Sequence, residues 1–392
     1  MSGTSTIEAR VCPYRKKCGG CSDIGESYEK VLREKEARIR KMLAPFTELE
    51  GMEGMENPYH YRNKIHRVCS YERVGRKEFH LSGIYAEGTH RIVPVKSCLI
   101  EDERADAIIE DILKLARDFK IRNYSEDTGR GLLRHILIRT ARATGQIMAV
   151  LVLADRELPG KKHFVKKLVE LHPELTTVVI NVNDRPGDMI LGERESAAFG
   201  RGYIEDVLCG KRFRISARSF YQVNPAQTER IYEAAAGYAE LGGNEVVIDA
   251  YCGIGTIGIA CADRARMVTG IESNRGAVKD AAVNAKLNGI KNIRFIAEDA
   301  AAWMEKAAAA GARADVILMD PPRAGSTERF LGAAAQLRPK KIIYISCNPE
   351  TLVRDLRYLK GRGYGAVRAR AFDQFCWTSH AECVVCVEPV GR

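Results

Sequence analysis

The spacing of apolar and polar residues changes once along the chain, near Asn224-Pro225. Beyond this point, short apolar runs typical of buried strands alternate with stretches compatible with helices; the runs are EVVIDA, MVTGIES, IRFIAED, ADVILMDPP and KIIYISC. Strands that alternate with helices are typical of a doubly wound, mostly parallel sheet. We therefore predict that residues 225–392 form an α/β domain with a Rossmann-like sheet.

Before Asn224 the dominant pattern is alternation with a period of two, which indicates half-buried strands. It is clearest in YHYRNKIHRVCSYERVGRKEFHLSGIY and in HILIRTARATGQIMAVLVLA, where a hairpin is predicted around Gly145. The runs TTVVINVND and GKRFRISARSFYQVN add strand character, and ADAIIEDILKLARDF predicts a helix. Residues 58–224 are therefore predicted to form a central α+β domain rich in antiparallel sheet.

The first 57 residues are predicted to form a separate N-terminal domain. Residues 28–43 have the spacing of an amphipathic helix, and residues 51–57 are typical of a linker. The apolar side of this helix is expected to consist of Val31, Ala37, Ile39, Met42 and Leu43. Ahead of the helix, the run CPYRKKCGGC has the C-x5-C-x2-C spacing of a metal or iron–sulfur site.

Composition narrows the class of protein. The 392 residues are enough for two or three domains, and 61 basic against 51 acidic residues give a net charge of +10. This excess favours a polyanionic partner, although many soluble enzymes are equally basic. The N-terminal sequence has no apolar signal segment, no run is long enough to span a membrane, and the twelve cysteines form no secreted disulfide pattern. We expect a cytoplasmic monomer without an obligate protein partner.

The strongest local signal is EVVIDAYCGIGTIGIA, which predicts a strand that ends at Asp249, a glycine turn, and a helix that starts near Thr256. Glycines in such a turn let a ligand approach the backbone at a helix N-terminus. The next strand ends at Glu272, where a carboxylate can accept hydrogen bonds from a ribose. These features alone fit both a nicotinamide dinucleotide and S-adenosylmethionine.

The following strands separate these two cofactors. The turn is not GxGxxG, Asp299 is predicted to end the third strand, and Asp320 is predicted to end the fourth. Acids at successive strand ends form the set with which class I methyltransferases hold S-adenosylmethionine. The alternative is that Asp249, Glu272 and Asp299 only cap loops.

The candidate chemistry follows from the next two motifs, DPPRAG and SCNPETLVRD. They close neighbouring strands, so Asp320, Arg323 and Cys347 should converge. Carbon 5 of uracil is too weak a nucleophile to attack a sulfonium methyl unless a thiolate first adds at carbon 6, and a base must then remove the proton from carbon 5. Glu382 is the candidate base, with His380 beside it. The alternative interpretations are that Cys347 is a buried core residue, that Glu382 is a surface carboxylate, and that His380 is a structural, hydrogen-bonding histidine.

Taken together, SFYQVNP, DAYCGIGTIGI, DPPRAG, SCNPETLVRDL and the terminal HxE resemble the RNA uracil-C5 methyltransferases, which form 5-methyluridine in tRNA and 23S rRNA. The resemblance covers nearly the whole chain. It implies a class I methyltransferase sheet, a nucleophilic Cys347 and a proton-abstracting Glu382. The residues that it implies for contacts with S-adenosylmethionine are Gln222, Tyr251, Thr256, Glu272, Asp299 and Asp320.

The cysteine run resembles the iron–sulfur branch of this family, in which one distant cysteine completes the set. The resemblance implies a 4Fe–4S cluster on Cys12, Cys18, Cys21 and Cys98, whereas thiolate chemistry alone leaves zinc open. This branch favours 23S rRNA as the substrate over tRNA. We expect the chain to lack the N-terminal RNA-binding β-barrel of many members, because only eleven residues precede Cys12. A further departure is Cys376, where the family usually has proline.

Two basic stretches are predicted to bind RNA, residues 59–67 (YHYRNKIHR) and 129–139 (GRGLLRHILIR). Lysine and arginine can contact phosphates, and tyrosine can stack on splayed bases. The target base must leave its stack, which favours loops over intact duplex.

Three alternatives to a 23S rRNA methyltransferase stay open. They are a tRNA methyltransferase, a catalytically idle RNA-binding assembly factor on the same fold, and an enzyme that methylates a small molecule or DNA cytosine.

Overall fold

The computed structural model describes residues 7–391 except for residues 76, 186 and 188. The strands are β1 (Leu49–Glu53), β2 (Lys64–Val74), β3 (Lys77–Tyr85), β4 (Ile92–Pro94), β5 (Leu133–Thr140), β6 (Ile147–Leu153), β7 (Leu175–Val182), β8 (Arg194–Phe199), β9 (Tyr203–Leu208), β10 (Lys211–Ser216), β11 (Val246–Ala250), β12 (Met267–Glu272), β13 (Ile293–Ala297), β14 (Val316–Met319), β15 (Lys341–Ser346), β16 (Tyr364–Phe372) and β17 (Glu382–Pro389). The α-helices are α1 (Tyr28–Leu43), α2 (Glu103–Asp118), α3 (Lys161–Leu171), α4 (Pro225–Ala239), α5 (Thr256–Cys261), α6 (Arg275–Leu287), α7 (Ala300–Ala309), α8 (Glu328–Gln336) and α9 (Pro349–Gly361).

The chain forms two compact units, each built from separate stretches of sequence. The first unit contains the described parts of Met1–Gly25, Asn57–Asp206 and Ile215–Arg218. The second contains the described parts of Glu26–Glu56, Val207–Arg214 and Ser219–Arg392. The predicted boundaries, after residues 57 and 224, lie close to chain positions where one unit gives way to the other. The predicted N-terminal domain, however, is divided between the two units.

The second unit is organised around an eight-stranded sheet in the order β1-β16-β17-β15-β14-β11-β12-β13. Strands β13, β12, β11, β14 and β15 are parallel, and β17 runs antiparallel to both β15 and β16. All five predicted apolar runs are strands of this sheet, which confirms the predicted Rossmann-like α/β fold. The strand order reverses between β11 and β14, and ligands bind outside the carboxyl ends of the strands at such a point.

Helix α1 has the predicted bounds, but one part of its predicted apolar side is wrong. Ala37 is exposed, whereas Lys35 is buried with 4% of its surface accessible. The Lys35 ammonium lies against the Asp373 carboxylate, also buried, and this ion pair lets a charged residue occupy the inner face. Charge pairing across a fold leaves no trace in local apolar spacing.

The predicted linker over residues 51–57 is also partly wrong, because β1 includes Gly51–Glu53. This strand pairs in parallel with β16 at the edge of the sheet, with Leu49 opposite Ala369 and Glu53 opposite Phe372. Leu49 is buried, and the rest of the strand is more accessible. One apolar anchor on an edge strand is too weak a pattern to distinguish from a loop.

The first unit contains a seven-stranded sheet in the order β4-β3-β2-β5-β6-β7-β8. All its pairings are antiparallel except that of β6 with β7, and β5 and β6 form the hairpin predicted around Gly145. Side chains of α2 and α3 share a core with one face of the sheet, including Ile108, Ile112, Phe164, Ile136 and Ile138. Strands β9 and β10 pair as a separate two-stranded sheet. No helix within the described residues combines the length and apolar character of a membrane span.

Candidate active site

The site residues predicted in the second unit gather at the carboxyl edge of the sheet. Glu272 is the last residue of β12, Asp320 follows β14 directly and Cys347 follows β15 directly, while Glu382 opens the antiparallel β17. A cavity of about 630 Å³ is lined by these residues and by the others predicted to contact S-adenosylmethionine, namely Gln222, Tyr251, Thr256 and Asp299. Parallel strands that end at the same edge bring together residues that are distant in sequence.

The turn between β11 and α5 forms one wall of this cavity. Gly253 (φ 56°) donates its backbone N–H to the Glu272 carboxylate over 3.2 Å, and Gly255 (φ 82°) precedes α5. A Cβ atom on Gly255 would lie 2.9 Å from the Phe295 ring, so this position requires glycine for both space and backbone conformation. Glu272 also accepts from the N–H of Asn274 over 2.7 Å. These two bonds orient the Glu272 carboxylate.

Asp249 has a different place from the one that the sequence suggested. It lies within β11, is fully buried, and accepts a 2.9 Å hydrogen bond from the backbone N–H of Gly258 on α5. Burial raises the pKa of Asp249 to about 7, and the nearby Asp320 and Glu272 act in the same direction. Through this hydrogen bond, Asp249 stabilises the connection between β11 and α5 from within the core.

The cavity fits the chemistry and size of S-adenosylmethionine. Its volume lies within the range of pockets that enclose small ligands. Glu272 presents an oriented carboxylate, and Asp299 caps α7 by accepting from the N–H of Ala302 over 2.9 Å. Tyr251 adds an aromatic face, and Thr256 exchanges a 2.8 Å hydrogen bond with the Tyr232 hydroxyl. Tyr232 also lines the cavity, and no sequence motif predicted this.

A short chain of side-chain amides leads to Asp320. Gln374 donates to Gln222 over 3.2 Å, and Gln222 donates to Asp320 over 3.3 Å. Burial raises the pKa of Asp320 to about 7, while the hydrogen bond from Gln222 lowers it in part. Gln374 and its neighbour Phe375, which lines the cavity, were not predicted from the sequence. Both residues lie two to three positions after strand β16, and Gln374 contacts the SFYQVNP motif. Their place just after a strand was the feature of the sequence from which they could have been identified.

Cys347 and Glu382 are the candidate nucleophile and base. Cys347 is half-buried and lines the cavity, so it is not a core cysteine. Burial raises the pKa of its thiol to about 11, with Glu382 and Asp320 acting in the same direction and Arg323 opposing them. Glu382 is 2% exposed, so it is not a surface carboxylate. Burial, followed by the proximity of Asp320, raises its pKa well above the ordinary value. A second buried carboxyl in the same cavity thus disfavours the ionised form of Glu382.

Arg323 and His380 form a pair at this edge of the site. The Arg323 Nη2 atom lies 3.0 Å from His380 Nε2. Burial, and next the charge of Arg323, lower the pKa of His380. Arg323 lines the cavity, whereas His380 is not among its lining residues. The position of His380 thus agrees with the alternative interpretation of a structural, hydrogen-bonding histidine.

The cysteines predicted to hold a cluster lie in the first unit. Cys12, Cys18, Cys21 and Cys98 line one cavity of about 330 Å³. Burial raises the pKa of the Cys21 thiol to about 12, and Cys18 and Cys12 are near enough to raise it further. Within the described part of the chain, no three or more metal-ligating side chains are placed to hold a metal ion. Four thiols around one cavity have the donor chemistry of an iron–sulfur cluster.

The predicted RNA-binding stretches also lie in the first unit, and one expectation about them is wrong. Tyr59 and Tyr61 are 4% and 9% exposed, so they cannot offer their rings to splayed bases. Tyr59 instead lies beneath the Arg10 guanidinium, 4.8 Å from the ring centroid. The strands of the two stretches, β2 and β5, are neighbours in the sheet.

Comparison with known proteins places this geometry in a family. A family model described as tRNA (uracil-5-)-methyltransferase matches residues 27–390. An uncharacterized RNA methyltransferase of Halalkalibacterium halodurans is 41% identical over 382 residues, which cover 96% of this chain and 82% of that protein. Another of Caldanaerobacter subterraneus subsp. tengcongensis is 40% identical over 382 residues, covering 96% and 84%.

A solved structure is similar over most of both chains. The crystal structure of Pyrococcus abyssi tRNA (uracil-54, C5)-methyltransferase in complex with S-adenosyl-L-homocysteine superimposes with a TM-score of 0.78 at 25% identity, covering 97% of this chain and 88% of that one. The extent of the family match and the identity to the relatives are decisive. The chain belongs to the tRNA (uracil-5-)-methyltransferase family, a family of S-adenosylmethionine-dependent RNA methyltransferases.

Proposed function

We propose that this protein methylates carbon 5 of a uridine in RNA through a covalent bond between Cys347 and carbon 6 of the base. The observation that carries the proposal is the shared cavity of Cys347, Glu382 and Asp320, in which a thiol faces two buried carboxyls. A nucleophile and a separate base are the two groups that this chemistry needs.

The first step concerns the Cys347 thiol. With its pKa raised to about 11, the thiol is protonated at neutral pH in the ligand-free protein. It must pass this proton to solvent before its sulfur bonds to carbon 6, and the neighbouring Arg323 favours the thiolate. Addition makes carbon 5 nucleophilic, and S-adenosylmethionine supplies the methyl group as an electrophile.

The last step concerns Glu382. Once carbon 5 carries the methyl group, the ionised Glu382 accepts the proton of carbon 5, and the bond between Cys347 and carbon 6 breaks as the double bond returns. Glu382 Oε1 is buried and has no hydrogen-bond partner among the described residues, so one oxygen has no competing donor. Its raised pKa makes the ionised form a strong base.

We further propose that Asp320, oriented by Gln222, accepts a hydrogen bond from the uracil edge or from the methyl donor. A buried carboxyl with a pKa of about 7 can switch between accepting and donating with little change in free energy. The remaining residues predicted to hold S-adenosylmethionine are Tyr251, Thr256, Glu272 and Asp299. Their support is the oriented carboxylate of Glu272 and the common cavity.

We also propose that Cys12, Cys18, Cys21 and Cys98 hold a 4Fe–4S cluster that shapes the RNA-binding surface, since the methyl transfer requires no electron. The support is the donor set around one cavity and the resemblance of the C-x5-C-x2-C run. The same resemblance leads us to propose that the substrate is 23S rRNA and that the protein acts in the cytoplasm.

A second candidate substrate is tRNA, because the similar Pyrococcus abyssi protein acts on uracil 54 of tRNA. The experiment is to incubate the protein with labelled S-adenosylmethionine and unmodified transcripts of 23S rRNA or tRNA, followed by nucleoside analysis. Label in 5-methyluridine of the rRNA supports the proposal. Label found only in tRNA would show that the substrate is tRNA and not 23S rRNA. No 5-methyluridine in either RNA would favour a non-catalytic RNA-binding factor.

A further inference from the structure

A second cavity in the first unit has no place in the chemistry described above. Its volume is about 450 Å³, and it lies where β2 and β5 meet the segment around Tyr124. His66 on β2 and Arg134 and His135 on β5 contribute to its lining. Each predicted RNA-binding stretch therefore supplies part of the same wall.

The cavity contains flat groups suited to stacking. The Arg134 guanidinium lies over the Tyr124 ring, 4.7 Å from its centroid, and Tyr85 and His90 form a tilted ring pair with centroids 5.0 Å apart. Arg134 is 3% exposed, and its Nη1 donates to the carbonyl oxygens of Asn183 and Arg185, so the guanidinium is fixed in place. Rigid aromatic and guanidinium planes are the groups on which unpaired bases stack.

The floor of the cavity carries a hydrogen-bonding pair. His66 Nε2 lies 3.2 Å from His135 Nδ1, so one ring donates to the other. Burial lowers the pKa of His66 to about 4 and that of His135 to about 3, which leaves both rings neutral at physiological pH. Whichever ring donates, the two outer nitrogens then comprise one donor and one acceptor. The outer nitrogens lie at opposite ends of the pair, so the nitrogen nearer to a bound base can hydrogen-bond its edge, as a donor or as an acceptor according to the tautomer.

Other ligands fit less well. A metal ion is disfavoured because the possible ligands of this cavity are already paired with each other, His66 with His135 and His90 with Glu126. A purely apolar ligand would offer no hydrogen bond to the outer ring nitrogens of the two histidines. The rim includes the exposed His90 and Glu126, so the cavity opens to solvent.

We propose that this cavity binds one unpaired nucleobase of the RNA substrate, a base other than the uridine that is methylated. The ring planes hold the base by stacking, and the His66–His135 pair reads its edge. The proposal rests on the proposed function only in that the polyanionic partner is RNA. It supplies a specificity contact in the unit that does not contain Cys347.

Binding of single-stranded RNA tests the proposal without any methyl transfer. The probes are a fluorescent oligoadenylate and an oligouridylate of about twelve nucleotides, each compared with an abasic ribose-phosphate chain of the same length. We expect wild-type protein to bind at least one base-containing probe more tightly than the abasic chain. Tyr124→Leu should weaken that binding about 5-fold or more, the value expected for one lost stacking contact, without changing binding of the abasic chain.

The matched control is Tyr71→Leu. Tyr71 also carries an arginine over its ring, with Arg122 at 6.0 Å, but it does not line the cavity. His90→Ala, at the exposed rim, gives a second variant that removes one ring without disturbing a buried side chain, and it should weaken the same probe. If Tyr124→Leu and His90→Ala bind every probe as Tyr71→Leu does, the base-binding proposal is wrong.

The base-binding proposal and the proposed methyl transfer can fail separately. A protein that transfers methyl groups but binds base-containing and abasic chains equally would keep the uridine chemistry and lose this cavity as a base site. Base-dependent binding that requires Tyr124, in a protein without methyl transfer, would keep the base site and lose the proposed activity.

Discussion

Tyr28 at the start of α1 donates a 2.7 Å hydrogen bond to Asp373, whose other carboxylate oxygen receives the Lys35 ammonium. The three side chains are buried, and Lys35 also donates to the carbonyl oxygen of Phe375. Asp373 begins the segment that carries Gln374 and Phe375 to the cavity and leads to Glu382. Helix α1 thereby holds the segment that precedes the candidate base.

Lys35→Met is expected to destabilise the protein, because it leaves Asp373 buried without its cation. Loss of one partner of a buried ion pair costs about 3–5 kcal/mol, and urea unfolding measures it. The control is Lys30→Met on the same helix, where the ion pair with Glu26 is exposed, and where we expect the free energy of unfolding to stay nearly unchanged. Equal effects of the two substitutions would show that the buried pair does not hold this segment.

Asp320→Asn should change the pH dependence of stability. Burial raises the pKa of Asp320 to about 7, so its stabilising contribution is complete below the unfolded pKa of about 4 and is lost as the pH rises through about 7. Relative to wild type, the variant should gain roughly 2–4 kcal/mol between about pH 5 and about pH 9 in denaturant titrations.

The control for this comparison is Asp315→Asn. A hydrogen bond from the Val246 N–H lowers the pKa of Asp315, so its stabilising contribution is present above the unfolded pKa and lost in acid. This variant should therefore fall behind wild type as the pH rises through the acid range up to about 4, and should keep a constant difference from wild type between about pH 5 and about pH 9, where Asp320→Asn gains. The same direction for both variants would contradict the assigned pKa shifts.

Glu382→Gln should stop the reaction after methyl transfer. An amide cannot accept the proton of carbon 5, so a methylated RNA should stay bonded to Cys347 and migrate with the protein in denaturing gels. Turnover should fall by about 10²- to 10⁴-fold, the usual contribution of a general base. Glu350→Gln, at an exposed acidic residue in the first turn of α9, is the control that should turn over normally. Normal turnover by Glu382→Gln would place the base elsewhere.

Cys98→Ser should abolish the visible absorbance of a reconstituted 4Fe–4S cluster, because three thiolates leave one iron without its protein ligand. Cys209→Ser is matched in exposure and, like Cys98, has its thiol pKa raised to about 12, but it does not line the cluster cavity. This variant should keep the absorbance. One bound zinc and no visible absorbance in the wild-type protein would contradict the cluster.

The sequence predicted the parts of the site that follow from regular alternation. Each βα unit brings its strand end to one edge, so Glu272, Asp320 and Cys347 could be located from apolar runs and the residue that follows each. Asp249 was misjudged because a residue one position inside a strand faces the core, and a boundary error of one residue changes the side.

Contacts between distant stretches could not be predicted in the same way. Lys35 and Asp373 are 338 residues apart, and in isolation Lys35 is one of many charges on a polar helix. Tyr59 resembled an exposed stacking residue because its charged neighbours dominate the local pattern. The cavity of His66 and His135 required the pairing register of β2 with β5, which neither stretch reveals alone.

The central claim is that Cys347 bonds to the uracil base, and trapping with 5-fluorouridine RNA tests it most directly. Fluorine at carbon 5 cannot be removed as a proton, so wild-type protein and Cys209→Ala, incubated with S-adenosylmethionine, should each form a stable complex with this RNA. Mass spectrometry of the digested complex should find the nucleotide on the peptide that contains Cys347, and Cys347→Ala should form no complex. A complex that persists in Cys347→Ala, or methylation of ordinary RNA by that variant, would contradict the account.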